Sequence, residues 1–151
     1  MPASRTAPHT QRGFSLLEIL VTIVVVALGL LGFAGLQVYS LKSNRIALHR
    51  SQATLHAHDL IDRMRANRAV AIAGTYNQDY TVTACSADPS LPGNVAGDDL
   101  AEWNNSIACN FPTGAGKITV SNTGTVTLWI KWKEGTSSSD PDHIWSTETS
   151  L

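Results

Sequence analysis

The sequence predicts an α+β fold: one long N-terminal helix, apolar through its first half, and behind it a small antiparallel β-sheet. Three observations predict it. Ile19 to Leu41 is a stretch of 23 positions without a charged residue. An apolar pattern at helical spacing continues beyond it, with no proline between Phe14 and Ile72. The C-terminal third then alternates apolar and polar residues in short runs separated by turn residues, as paired strands do.

Composition sets the bounds. The 151 residues are one domain's worth, near neutral at a formal net charge of −1. With 43% of residues hydrophobic and 15% charged, charge is scarce for a water-exposed chain of this size. The apolarity is concentrated near the N-terminus, and the remainder is rich in Thr, Ser, Asn and Gly. No basic patch with interleaved aromatics stands in the sequence, which argues against nucleic acid as a partner. Cys85 and Cys109 lie in the polar half. Outside the cytoplasm they most simply form one disulfide; the alternative is two free thiols.

The uncharged run exceeds the roughly 20 residues that a helix needs to cross a bilayer. Arg5 and Arg12 precede it, so the positive-inside rule puts the first residues in the cytoplasm and the rest outside. A secretory signal peptide would have a shorter apolar core ending in a small-x-small site, and the end of this run, Gly35-Leu36-Gln37-Val38-Tyr39, has none. A plain signal anchor fits the length but leaves Glu18 unexplained. That carboxylate sits among Leu16, Leu17, Ile19 and Leu20, and in hydrocarbon it is costly unless paired or protonated.

Gly13-Phe14-Ser15-Leu16-Leu17-Glu18, followed by the apolar run, resembles the processing site of type IV prepilins. The resemblance implies that prepilin peptidase cuts between Gly13 and Phe14, on the cytoplasmic side, and that Phe14 is then N-methylated. Met1 to Gly13 is the leader, short, polar and basic as such leaders are. Glu18 falls where that family carries its glutamate, four residues beyond the new amine. The physical sense is that Glu18 neutralises the amine of a neighbouring subunit, supplying registry between subunits more than net stability. The fold implied is the type IV pilin fold.

Beyond the apolar run, Leu41, Leu48 and Leu55 recur at seven-residue spacing, and Ala57, Leu60, Ile61 and Met64 continue an apolar stripe. Lys42, Arg45, Arg50, Asp59, Arg63 and Arg65 take the other faces. One helix is therefore expected over residues 14–73, membrane-spanning at about 19–41 before assembly, with Gly74 as its stop. Its second half is expected to pack on a head at 74–151. Gly29, Gly32 and Gly35 mark either close helix packing or a soft point that unwinds on filament entry. Major pilins often have a proline hereabouts, and this chain has none.

In the head, "TYNQDYTVTAC" alternates Tyr80, Val82 and Ala84 against Thr81 and Thr83 as a strand would. Asp98 is the expected N-cap of a short helix with Leu100, Trp103 and Ile107 on one face. "GKITVSNTGTVTLWIKWKEG" reads as a hairpin turning at Asn122-Thr123-Gly124, with Val126, Leu128, Ile130 and Trp132 on the apolar side of the return strand. "DHIWSTETSL" adds an edge strand. Gly114-Ala115-Gly116 and "EGTSSSDPD" are expected to be loops. A Cys85–Cys109 bridge would tie the first strand region to the end of the short helix and contribute roughly 3 kcal/mol in the chain-entropy model.

Ser40 to Arg68, and above all its tail Asp62-Arg63-Met64-Arg65-Ala66-Asn67-Arg68, resembles the corresponding segment of PilV-type minor pilins. That resemblance implies a low-abundance subunit, not an enzyme. It would join other minor pilins to prime assembly, meet the major pilin and the inner-membrane assembly platform, and have the pilus tip as a candidate location. The head would be periplasmic, then extracellular. A minor pseudopilin of a type II secretion system shares the leader and helix, but Arg-Met-Arg-Ala-Asn-Arg favours the pilus. A signal-anchored periplasmic protein is the remaining alternative.

Other chemistry finds little support. His49, His56, His58, Asp59 and Asp62 invite a metal, yet His49 and His56 stand two turns apart, and His56 and His58 point to different sides. Asp140-Pro141-Asp142 lacks the ligand spacing of a calcium loop. No phosphate loop and no Ser/His/Asp or Cys/His set suggests catalysis, and no cofactor is expected. Asn104-Asn105-Ser106 reads as a polar turn of the short helix.

Overall fold

The computed structural model describes residues 15–134 and 141–151. Gly13, Phe14 and Asp140, each singled out above, lie outside the described residues. Two compact units divide the chain, the first ending at Ser43 and the second running from Asn44 to Leu151. The elements are α1 (Leu16–Ala66), α2 (Arg68–Ile72), β1 (Gln78–Thr81), α3 (Val95–Asn110), β2 (Ala115–Val120), β3 (Thr125–Lys133) and β4 (Asp142–Ser150). This is the expected α+β layout, consistent with a type IV pilin fold.

Glu18 in the first turn of α1 and Arg63 and Arg65 in its last both complement the helix dipole. The helix ends earlier than residue 73. Asn67 leaves helical geometry at φ −113°, ψ 41°, and its Nδ2 donates to Tyr76 Oη at 3.2 Å. The five-residue α2 follows. Gly74, at φ +84°, reverses the chain after it in a conformation that side chains oppose.

The face that α1 gives the core carries Ala57, Leu60, Ile61 and Met64, as expected, together with His49 and Ala53. The leucines expected to lead into that stripe do not join it: Leu48 and Leu55 are 55% and 70% exposed, and Leu41 is exposed as well. Residues 53, 57, 60, 61 and 64 lie one helical turn apart on a single face. Small alanines stand there because two indoles, Trp103 and Trp132, occupy the same cluster.

The sheet is antiparallel in the order β1-β2-β3-β4. The β2–β3 hairpin runs from Ala115↔Lys131 to Val120↔Val126, closing through a turn in which Gly124 has φ +86°. Alternation puts Val126, Leu128, Ile130 and Trp132 on the buried side, as expected. β4 is the predicted edge strand, paired with β3 from Thr125↔Ser150 to Lys133↔Asp142 without a break in register.

Three local expectations are corrected. The first strand stops at Thr81, and Val82 is 68% exposed. Its register shifts between Gln78 and Thr81, because Gln78 turns inward to exchange amide hydrogen bonds with Asn104 at 2.9 and 3.1 Å. The N-cap of α3 is Asn94, whose Oδ1 accepts from Gly97 N at 2.9 Å, while Asp98 Oδ1 accepts from Gly93 N at 2.7 Å. Gly114-Ala115-Gly116 is no loop, since β2 begins at Ala115. Glycine is needed where α3 presses on β2: a Cβ at 114 would come within 2.8 Å of the Ile107 carbonyl, and one at 116 would enter the Trp103 ring.

Gly116→Ala therefore forces Trp103 to move within a packed core, at a cost of about 1–3 kcal/mol. The expected outcome is a lower thermal midpoint for the full chain in detergent. An unchanged midpoint would mean that the indole yields freely.

Candidate functional site

Ser15 opens α1. Its Oγ accepts from Leu17 N at 3.3 Å, and its carbonyl accepts from Glu18 N at 3.0 Å. Thr22 Oγ1 donates to the Glu18 carbonyl at 2.6 Å, continuing the helical register along this face. Glu18 itself is exposed on an exposed apolar surface, and among the described residues no cation pairs with its carboxylate. α1 is long and apolar enough to cross a membrane, with none of its apolar window buried inside the chain. Gly29, Gly32 and Gly35 lie within uninterrupted helix, and a Cβ added at any of them would meet nothing within 4 Å. Together these features present apolar side chains, three glycines and one carboxylate to whatever surrounds the segment.

In the second unit, Cys85 and Cys109 are bonded to each other, with Cα atoms 4.7 Å apart. From Val82 to Val95 only Pro89 is even partly buried. The bridge and a few polar contacts hold this segment to α3: Thr83 Oγ1 donates to the Asn104 carbonyl at 3.2 Å, and Ser86 N to Asn105 Oδ1 at 2.8 Å. Asn104, first residue of the Asn-Asn-Ser triplet, is buried in its pair with Gln78.

A charged network joins α1 to α3. Arg63 reaches Asp59 at 3.1 Å, Asp99 at 3.3 Å and Glu102 at 2.6 Å. The hydrogen bond that the guanidinium donates to Glu102 leads in raising its pKa, with burial opposing it. Tyr76 Oη donates to Asp99 Oδ2 at 2.6 Å. Burial first, and that bond second, push the phenol's pKa up. Sequence reasoning missed this group. The Asp59–Arg63 spacing of four was visible, whereas Asp99 and Glu102 stand 36 and 39 residues from Arg63.

The histidines do not converge. His49, 6% exposed, lies against Phe111 and Trp132 at ring-centroid distances of 5.6 and 6.1 Å, and neither ring nitrogen has a hydrogen-bond partner among the described residues. His56 also meets Phe111, edge to face, with ring centroids 5.9 Å apart. Among the described residues no group of three or more His, Cys, Asp or Glu could hold a metal ion.

Burial lowers the pKa of His56 below its usual 6.5, with Asp59 opposing. Below pH 6.5 the unfolded chain thus takes up a proton that the folded chain resists, so stability is lost as pH falls from 6.5 towards the folded pKa. The expected outcome is that His56→Gln makes the decline of the melting midpoint between pH 6.5 and 5 shallower. An equally steep decline would assign the acid sensitivity elsewhere.

Residues 8–34 match the family model of the prokaryotic N-terminal methylation motif. Neither the curated proteins nor the solved structures compared with the chain gave a match. The matched segment takes in the positions flagged at Gly13, Phe14 and Glu18 and the first half of the apolar run. It implies processing by prepilin peptidase and assembly with pilus machinery, and the apolar helix behind it fits inner-membrane anchoring before assembly. The chain thus carries the N-terminal signature of a type IV pilin-like, prepilin-type protein.

Proposed function

We propose that the chain is a minor type IV pilin of the PilV type, cut between Gly13 and Phe14, N-methylated at Phe14 and assembled with other minor pilins to prime the filament. The observation that carries this reading is Glu18, a carboxylate with no cation partner among the described residues, in an exposed apolar helix and inside the methylation motif. Assembly then rests on two things. Helix-to-helix packing removes the exposed apolar surface from lipid, and Glu18 meets the Phe14 amine of a neighbour. In low dielectric that pair is directional, because either charge left alone is costly. Residues 1–13 are the leader, and the N-terminus faces the cytoplasm. The head lies in the periplasm, where Cys85 and Cys109 oxidise, and is later outside the cell on the pilus. The Ser40–Arg68 segment supports a minor pilin over a pseudopilin. The partners are prepilin peptidase, the other minor pilins, the major pilin and the inner-membrane assembly platform. The chain performs no catalysis of its own in this reading.

Intact mass and N-terminal sequence of the protein from membrane and sheared-filament fractions test it. The expected result is a methylated Phe14 start in the sheared fraction; an uncut Met1 start confined to membranes overturns it. Glu18→Ala is expected to be cut normally yet to fall at least tenfold in the sheared fraction. Unchanged incorporation would remove the registry role from Glu18.

A further inference from the structure

We infer that the Cys85–Cys109 bond is a latch open to thiol exchange: a protein dithiol that reduces it frees residues 82–95 from α3 while the core of the head stays folded. The inference goes beyond the pilus reading and does not depend on it.

Both cysteines are exposed. A thiolate reaches an exposed disulfide without prior unfolding, and exposed disulfides are among the labile ones. What the bond holds is equally accessible. No residue between Tyr76 and Ala96 belongs to the buried core, and Val82, Leu91 and Val95 are 68%, 49% and 65% exposed. A cavity of about 270 Å³ already parts this segment from α3, which lines it with Ala101, Asn104 and Asn105. Beside the bond, the contacts to α3 are polar. Ser86 and Asn105 exchange two, at 2.8 and 3.0 Å, while Thr83 Oγ1 donates to the Asn104 carbonyl and Gly93 N to Asp98 Oδ1.

Release therefore uncovers one alanine and two amides, and no apolar side chain of the core. Trp103 and Ile107, which face the core, keep their places against α1 and β2. Freed in the folded head as it is in the unfolded chain, the segment gains chain entropy in both states. Loss of the bond then opens the segment and lowers the melting midpoint little.

The two sulfurs are not equivalent. Cys109 lies in the last turn of α3, where carbonyls without helical partners form the negative end of the helix dipole, and Asn105 Oδ1 stands 3.9 Å from its sulfur. A thiolate is disfavoured there, so Cys85 is the better leaving group. The incoming thiolate bonds to Cys109 Sγ, the S–S bond breaks, and its electron pair leaves on Cys85 Sγ, which is then protonated. The second thiolate of the reductant attacks its own sulfur in the mixed disulfide. Cys109 leaves with that electron pair and is protonated in turn. The dithiol ends as a disulfide, having passed two electrons and two protons to the head.

The test uses the full chain in detergent micelles, without denaturant. Dithiothreitol, a small dithiol, is expected to reduce the bond at a rate that sub-denaturing urea leaves unchanged. After reduction the Ser86 amide, held by Asn105 in the oxidised chain, is expected to exchange hydrogen about tenfold faster or more, while amides of β2 and β3 keep their protection. With glutathione and an early acid quench, adducts on Cys109 are expected to exceed those on Cys85 about threefold or more. Reduction that waits for denaturant, or loss of protection through β2 and β3, overturns the proposal. So does an unchanged Ser86 amide, because the segment then stays seated without its bond. Adducts mainly on Cys85 overturn the assignment of the attacked sulfur.

Discussion

The head depends on Trp103. From α3 its Nε1 donates to the His56 carbonyl of α1 at 2.9 Å, and its ring lies against β2 where Gly116 leaves room for it. One side chain thereby fixes the spacing of two helices and the strand layer. The carbonyl it uses lies within a helix, where a second lone pair remains after the helical hydrogen bond is made. Indole burial contributes apolar contact while its single donor is satisfied, which is the condition under which tryptophan is well placed in a core. Gly116 is the complement of that bulk, and the alanines at 53 and 57 lie in the same buried cluster: small residues where helices and sheet approach closely.

Much of this was readable in the sequence because it depends on local periodicity. The β2–β3 hairpin shows itself through strict alternation around Asn122-Thr123-Gly124, and Trp103 with Ile107 through spacing on one helix face. Ala57, Leu60, Ile61 and Met64 were legible in the same way, as an apolar stripe on α1, and they are buried. What failed was the lead into that stripe: Leu41, Leu48 and Leu55 share its helical spacing but stay exposed, and Ala53 faces the core ahead of it. Gly114-Ala115-Gly116 reads as a loop by composition, yet Gly114 answers to Ile107 and Phe111 at the end of α3, and Gly116 to the Trp103 indole thirteen positions away. The inward turn of Gln78 was hidden as well, since its partner Asn104 stands 26 residues on. The methylation motif was legible in the N-terminal segment because its signal, a glycine, an apolar run and one acid at fixed offsets, is contiguous.

The two units of the chain meet water on different terms. The second buries a core between its own sheet and helices, leaving charges such as the Arg63 cluster near the surface. In the first, the described apolar side chains are all exposed, and the described charge is one carboxylate and, at the far end, Lys42. Such a surface is stable only in lipid or against other apolar helices. The low overall charge is thus a property of one segment averaged over the chain.

The position of the disulfide along the chain has a bearing on how the head is built. Cys85 and Cys109 are 24 residues apart, and both precede β2. Everything the bond joins has been synthesised before the first residue of the β2–β3 hairpin exists. Under oxidising conditions the exposed 82–95 segment can be covalently fixed to the end of α3 while the sheet is still missing. The strands then need to find only a helix already carrying its loop, and the long-range pairings that complete the head begin from a smaller set of open chains.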